Sequence, residues 1–297
     1  MNIEKIFFKT DDKAELVGLL HTNNNSKKVV ISVHGMASNC LKRRDDILAK
    51  NVLENGIDYF TFNNRGHDVI SYFTTFKTGT YTKEKAGTSY ENVEDSYYDI
   101  KAALDEMIRH NYKEIYLQGH SLGCTKIVYA YNKFKSNNEN NYLDRIKAII
   151  LLSLIDLPRV QRVYLGDNKF DELLEYAINK KEQGKDGELM PIDSFMHPMS
   201  VKTYLKCFNN SLIDFARYWD EEYEFPELNN IQVPLFMRWG DTFEMIEQKA
   251  PKLVEIVKNK ISNENLDIGY IAGANHGYAE HEQELANEIL EFFKNRR

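Results

Sequence analysis

Short apolar runs separated by longer amphipathic stretches recur along the chain. Residues 28–33, 57–62, 114–118, 146–152, 233–239 and 266–271 are apolar blocks too short for helices, and they predict buried strands. Residues 3–9 and 14–20 predict an antiparallel hairpin at a sheet edge, turning at Asp11-Asp12. Between these blocks lie helical patterns. Residues 43–55 predict a helix whose C-terminal cap is Gly56. Residues 90–109 predict a long helix, because Val93, Tyr97, Ile100, Leu104 and Ile108 recur at helical spacing. Residues 124–134 predict another. A last helix, over 280–294, turns Leu285, Ile289, Leu290 and Phe293 to one face. Strands alternating with helices of this length imply crossover units, a mostly parallel central sheet and an α/β fold.

The stretch 157–230 breaks the alternation. It carries a helical pattern over 170–181, a polar loop at 182–188 and a second helical region over about 199–219. The expected organisation is therefore a core formed by 1–156 and 231–297, with 157–230 inserted as a helical cap over the sheet. Tyr204, Phe208, Tyr218 and Trp219 suit either the lining of a pocket or the core of that cap.

In such a sheet, ligands bind beyond the C-terminal ends of the strands. His34, Arg65, Ser121, Asp156, Asp241 and the loop before His276 all fall there. One of these positions carries a motif. Gly119-His120-Ser121-Leu122-Gly123 follows the strand at 114–118 and opens the next helix. In that context Gly-x-Ser-x-Gly reads as a nucleophile elbow. Glycines at both ends leave no Cβ to collide across the turn.

A serine hydroxyl needs a base within hydrogen-bond reach and a group that orients the base. His276, in Gly273-Ala274-Asn275-His276-Gly277, has the small neighbours and strand-end position expected of the base. His281 should already lie on the terminal helix. His120 reads as a packing or orienting residue and His34 as structural. Three carboxylates remain candidates for the acid: Asp241, directly after the 233–239 strand and its Gly240; Glu244, three residues on; and Asp156, after the preceding core strand. The backbone amides of Met36 and Leu122 are expected to form an oxyanion hole.

Composition narrows the field of partners. The 297-residue chain has a formal charge of −7 and no basic stripe, which disfavours nucleic acid. Cys40, Cys124 and Cys207 are too dispersed for a disulfide framework or a metal site, and Cys124 reads as buried packing. No zinc, calcium or phosphate-loop spacing occurs, so neither metal nor cofactor is expected. The N-terminus lacks a signal-peptide pattern and no run has the length of a membrane span, so a cytoplasmic location without a membrane partner is expected. No lysine or arginine cluster is read at the motifs. A small or medium-sized, neutral or weakly polar ester is therefore the expected substrate.

Four segments together resemble the α/β-hydrolase superfamily. These are the elbow; Val33-His34-Gly35-Met36, similar to its oxyanion turn; Phe62-Asn63-Asn64-Arg65-Gly66-His67-Asp68, similar to its Asn-x-Arg-Gly segment; and the loop around His276. The last form of the Arg-Gly segment also resembles a branch that includes hydrolases of siderophore esters. The resemblance implies a serine hydrolase with Ser121, Asp241 and His276 as its triad. It departs from the common pattern at the acid. Three residues beyond Gly240 stands Phe243, so Asp241 fits if the loop is shortened and Glu244 fits if it is not. Amide, peptide and thioester hydrolysis, or a non-catalytic binding role on the same scaffold, are the alternatives.

Overall fold

The computed structural model describes residues 2–23, 25–77, 79–209, 211–242 and 249–295. The predicted apolar runs become the strands β1 (Asn2–Lys9), β2 (Glu15–Thr22), β3 (Lys28–Val33) and β4 (Asp58–Asn63), then β7 (Glu114–His120), β8 (Ile146–Leu152), β9 (Leu235–Gly240) and β10 (Leu266–Ile271). Between β4 and β7 lies a hairpin, β5 (Ser71–Lys77) and β6 (Thr80–Ala86), which the apolar pattern does not announce. Most of β6 faces solvent, so no buried stripe marks it.

The eight-stranded sheet has the order β1-β2-β4-β3-β7-β8-β9-β10. β1 and β2 pair antiparallel at one edge, β2 joins β4 antiparallel, and the remaining neighbours are parallel. Chain order reverses between β3 and β7. β3 continues to β4 on one side, and β7 continues to β8 on the other. The two loops leaving these strands diverge, opening a crevice at their C-terminal ends.

Helices cover both faces. On one face α2 (Ser96–Arg109), α3 (Leu122–Ser136) and α9 (Ala250–Lys260) pack their apolar sides against the sheet, through residues such as Leu104, Ile127 and Leu253. On the other, α1 (Arg43–Leu53) and α10 (Glu282–Lys294) do so through Leu48, Val52, Leu285 and Phe292. A one-turn helix, α4 (Asn140–Leu143), precedes β8. α1 ends before the predicted Asn55, and Gly56 supplies the left-handed turn, with φ of 78°. α2 begins at Ser96 rather than at 90. Residues 88–91 are held elsewhere: Ser89 N–H donates to Val69, and the Glu91 carbonyl accepts from Thr203 Oγ1.

The 157–230 segment is inserted between β8 and β9 and is largely helical: α5 (Leu157–Leu165), α6 (Asp167–Glu182), α7 (Val201–Phe208) and α8 (Pro226–Asn229). The helical region expected to reach 219 stops at Phe208. Beyond it, Phe215, Ala216 and Tyr218 drop back into the main core, and Tyr218 donates its hydroxyl to the Leu154 carbonyl at 2.9 Å. No helix among the described residues is long and apolar enough to cross a membrane.

Candidate active site

Ser121 sits between β7 and α3 with φ 55° and ψ −125°. This left-handed geometry costs a non-glycine residue on the order of 1–3 kcal/mol and is kept only where the surroundings impose it. They do so here. A Cβ on Gly119 would stand 2.6 Å from the Gly123 carbonyl oxygen, and one on Gly123 would stand 2.1 Å from that of Val33. Glycine alone permits the close approach the motif predicts. Ser121 N–H donates to the Leu152 carbonyl at 2.8 Å, tying the elbow to β8. Buried Cys124 donates its thiol to the same carbonyl.

The turn after β3 lies directly against the elbow. A Cβ on Gly35 would come within 2.9 Å of Ser121 Cβ and 3.4 Å of the Leu122 nitrogen. Neither the Met36 amide nor the Leu122 amide donates to an acceptor among the described hydrogen bonds, and Leu122 opens α3. First-turn amides of a helix have no intrahelical partner. His34 braces this turn. Its Nδ1 contacts the Gly35 carbonyl at 2.9 Å, and Asn64 N–H donates to its Nε2 at 3.3 Å. That pairing needs the neutral ring, and burial pushes the pKa of His34 down to about 3. Arg65 braces the turn after β4, donating to Asp99 and Asp12. Lys126, fully buried one turn into α3, pairs with Glu91 at 2.5 Å and donates to Asn64 Oδ1.

His276 and Ser121 line one cleft of about 360 Å³, together with Met36 and His120. The histidine loop is fixed through its backbone. The His276 carbonyl accepts from His120 Nε2 at 2.7 Å and from Ser153 Oγ at 3.2 Å. Ser153 also donates to the Tyr278 hydroxyl, which donates to the Arg238 carbonyl. Burial, then the neighbouring Arg44 and His276, hold His120 well below the usual imidazole range. A neutral ring donating from Nε2 carries its only proton there. No motif or spacing in the chain marks Ser153 or Tyr278. Both have positive φ, at 58° and 61°, which only three-dimensional coordinates reveal.

The three acid candidates separate. Asp241 leaves β9 and meets the histidine loop: its Oδ1 accepts from Gly273 N–H at 2.6 Å, while Thr242 bonds the Ala274 carbonyl. Among the described residues, Asp241 makes no bond to the His276 ring. Asp156 is the N-cap of α5, where its Oδ1 accepts from Arg159 N–H. Its Oδ2 is buried without a hydrogen-bond partner. Burial, reinforced by Asp214, raises its pKa to about 7. Glu244, like Phe243, lies outside the described residues. His281 is the N-cap of α10 and interacts with Glu284.

The insertion meets this region at Leu122 and Met36. Phe170 and Leu173 of α6 and Tyr204 and Phe208 of α7 form one apolar cluster with Leu122, and Met36 packs on it. Tyr204 and Phe208 are thus core of the insertion, Tyr218 belongs to the main core, and Trp219 is half exposed beneath Arg159. None of these aromatics lines the cleft at Ser121. Lys42, Arg43 and Arg44 line it instead, contrary to the expectation that no basic cluster lies near the motifs.

Among the described residues no group of His, Cys, Asp and Glu could hold a metal ion. The sequence model of the family described as "Serine aminopeptidase, S33" matches residues 24–154, a span that includes Met36, Ser121 and Leu122. No curated protein matches the chain. Solved structures match it almost end to end. Est1E from Butyrivibrio proteoclasticus, with ferulic acid bound, is 19% identical with a TM-score of 0.67, over 98% of each chain. The Pyrococcus furiosus esterase PF2001 is 18% identical with a TM-score of 0.62, covering 99% of this chain and 90% of that one. A soluble variant of the Saccharomyces cerevisiae monoglyceride lipase, in complex with a substrate analogue, is 13% identical with a TM-score of 0.63, over 98% and 95%. Likeness at these identities is a likeness of fold, and the fold is that of the α/β-hydrolases.

Proposed function

We propose that this chain, a serine hydrolase of the α/β-hydrolase superfamily, hydrolyses small or medium-sized carboxylic esters through an acyl-enzyme on Ser121. The observation that carries the reading is the shared cleft of Ser121 and His276, with the Ser121 backbone held in an elbow that the flanking glycines permit. His276 takes the hydroxyl proton as Ser121 attacks the carbonyl, then returns it to the leaving alcohol. Water activated by the same ring releases the acid. The amides of Met36 and Leu122 receive the negative charge of the tetrahedral intermediate. Among the described residues neither amide has a protein acceptor, which supports both as donors to it.

Asp241 is proposed as the acid. One of its oxygens is anchored to the amide of Gly273, three residues before His276, which holds the carboxylate against the histidine loop. Asp156 suits the role poorly, because its raised pKa opposes the anionic form an orienting carboxylate needs. The insertion 157–230 is proposed as a cap that shapes the site through Leu122 and Met36, the residues its core holds. The relatives do not narrow the substrate to siderophore esters, so the reading stays at carboxylic esters.

The test is labelling by a fluorophosphonate, read by peptide mass spectrometry, beside a panel of para-nitrophenyl esters, thioesters, anilides and peptides. Modification at Ser121 and Ser121-dependent ester turnover are expected. Selective turnover of anilides or peptides would move the activity to amide hydrolysis, and an unlabelled Ser121 would leave a binding protein.

A further inference from the structure

The lining of the cleft that holds Ser121 and His276 also includes the beginning of α1. Lys42 is its N-cap, and Arg43 and Arg44 are its first two helical residues. Three successive cations at a helix N-terminus oppose the helix dipole, whose positive end they share. The same turn carries two acids, Asp45 and Asp46, and among the described residues only Arg44 pairs with one of them. Lys42 is exposed and has no acidic partner among the described residues. Arg43 is 77% exposed at its side chain and reaches Glu282 only at 3.7 Å. Arg44 is buried, yet it spends one hydrogen bond, at 3.2 Å, on Asp45 Oδ2, and its Nε has no partner. A guanidinium carries five N–H donors. Asp45 is itself engaged, since its Oδ1 accepts from Ser32 and from Tyr59.

Among the described residues that line the cleft, Glu282 is the one acid, against these three cations. The protein as a whole carries a charge of −7, so the cleft at Ser121 has the opposite sign to its surroundings. A concave site with low-dielectric walls focuses such a field on what enters it.

Resting on the reading of Ser121 as an esterase nucleophile, we infer that the substrate is an ester with a carboxylate on one arm, and that Lys42, Arg43 and Arg44 receive it. Guanidinium groups match the planar carboxylate, and Lys42 adds a mobile point charge at the mouth. This replaces the neutral ester expected from the sequence.

Two matched pairs of esters test it: para-carboxyphenyl against para-carbamoylphenyl butanoate, and para-nitrophenyl hydrogen adipate against para-nitrophenyl hexanoate. The wild type should favour the charged member of at least one pair by about tenfold in kcat/KM, and salt should reduce that ratio. In the double variant Lys42→Ala/Arg43→Ala the ratio should fall to about one. Both side chains are exposed, so folding is not at issue; Arg44→Gln, with its fold checked by circular dichroism, should lower the ratio too. Equal turnover of charged and neutral members, or a preference that persists in the double variant, overturns the carboxylate reading and leaves ester hydrolysis standing. If no ester of the four is hydrolysed and Ser121 resists the fluorophosphonate, the underlying assignment falls, and this one with it.

Discussion

At the residue scale, the site depends on backbone geometry more than on side-chain chemistry. Ser121 keeps a left-handed φ because Gly119 and Gly123 let the chain fold tightly against Val33. The hydroxyl takes no part in that arrangement. Ser121→Ala should therefore fold with wild-type stability and lose the acyl adduct and nearly all turnover, as intact-mass spectrometry with a slow ester would record. The acid is tested by comparison. Asp241→Asn should lower kcat by about 10⁴-fold, the loss seen when a triad orienter becomes an amide. Glu244→Gln should cost far less. The reverse ranking would transfer the role to Glu244.

At the scale of elements, two strands and an insertion converge. β3 and β7 are neighbours whose chains depart in opposite directions, so the turn after β3 and the elbow face one crevice. The insertion supports both, since Leu122 and Met36 pack with α6 and α7. Phe208→Ala should cost about 3–5 kcal/mol, the usual range for emptying a buried phenylalanine site. It should also lower kcat/KM measured on the folded fraction, because Leu122 and Met36 lose their backing. A fall in Tm with unchanged kcat/KM would separate the insertion from the site. The same scale explains where periodicity misled. A helix over 90–109 was legible, but its first turn was not, because Ser89 and Glu91 are bonded to Val69 and Thr203, distant in sequence. The β5–β6 hairpin was invisible because a strand exposed on both faces carries no alternation.

At the scale of the whole molecule, Asp156 gives global stability a pH dependence. Its pKa, raised to about 7 by burial and by Asp214, stands above the ordinary carboxylate value near 3.8. The folded state therefore holds a proton that the unfolded chain releases. The resulting stabilisation is complete below the unfolded pKa and is lost as pH rises towards about 7. Asp156→Asn caps α5 as well as aspartate does and has no charge to bury. Urea titrations between acid and neutral pH should show the wild type losing stability relative to this variant as pH rises, by a few kcal/mol at most. A constant difference would place the proton elsewhere.

The sequence by itself determined the alternation of strand and helix, and with it the parallel sheet, the place of the insertion and the elbow. Each follows from local information: apolar periodicity, glycine at a tight turn, and the order of short blocks. It also put Ser121, Asp241 and His276 at strand ends on the same side of the sheet. Only the tertiary structure decided what surrounds them. Ser153 and Tyr278 hold the histidine loop through bonds to residues more than a hundred and to some forty positions away. Tyr204 and Phe208 became core rather than pocket because α6 folds back over α7. Lys42, Arg43 and Arg44 stand at the start of the helix predicted from residue 43, and only the fold brings that start into the cleft with Ser121. Local patterning fixes which face of an element is apolar, whereas the neighbour a charged face meets depends on long-range topology.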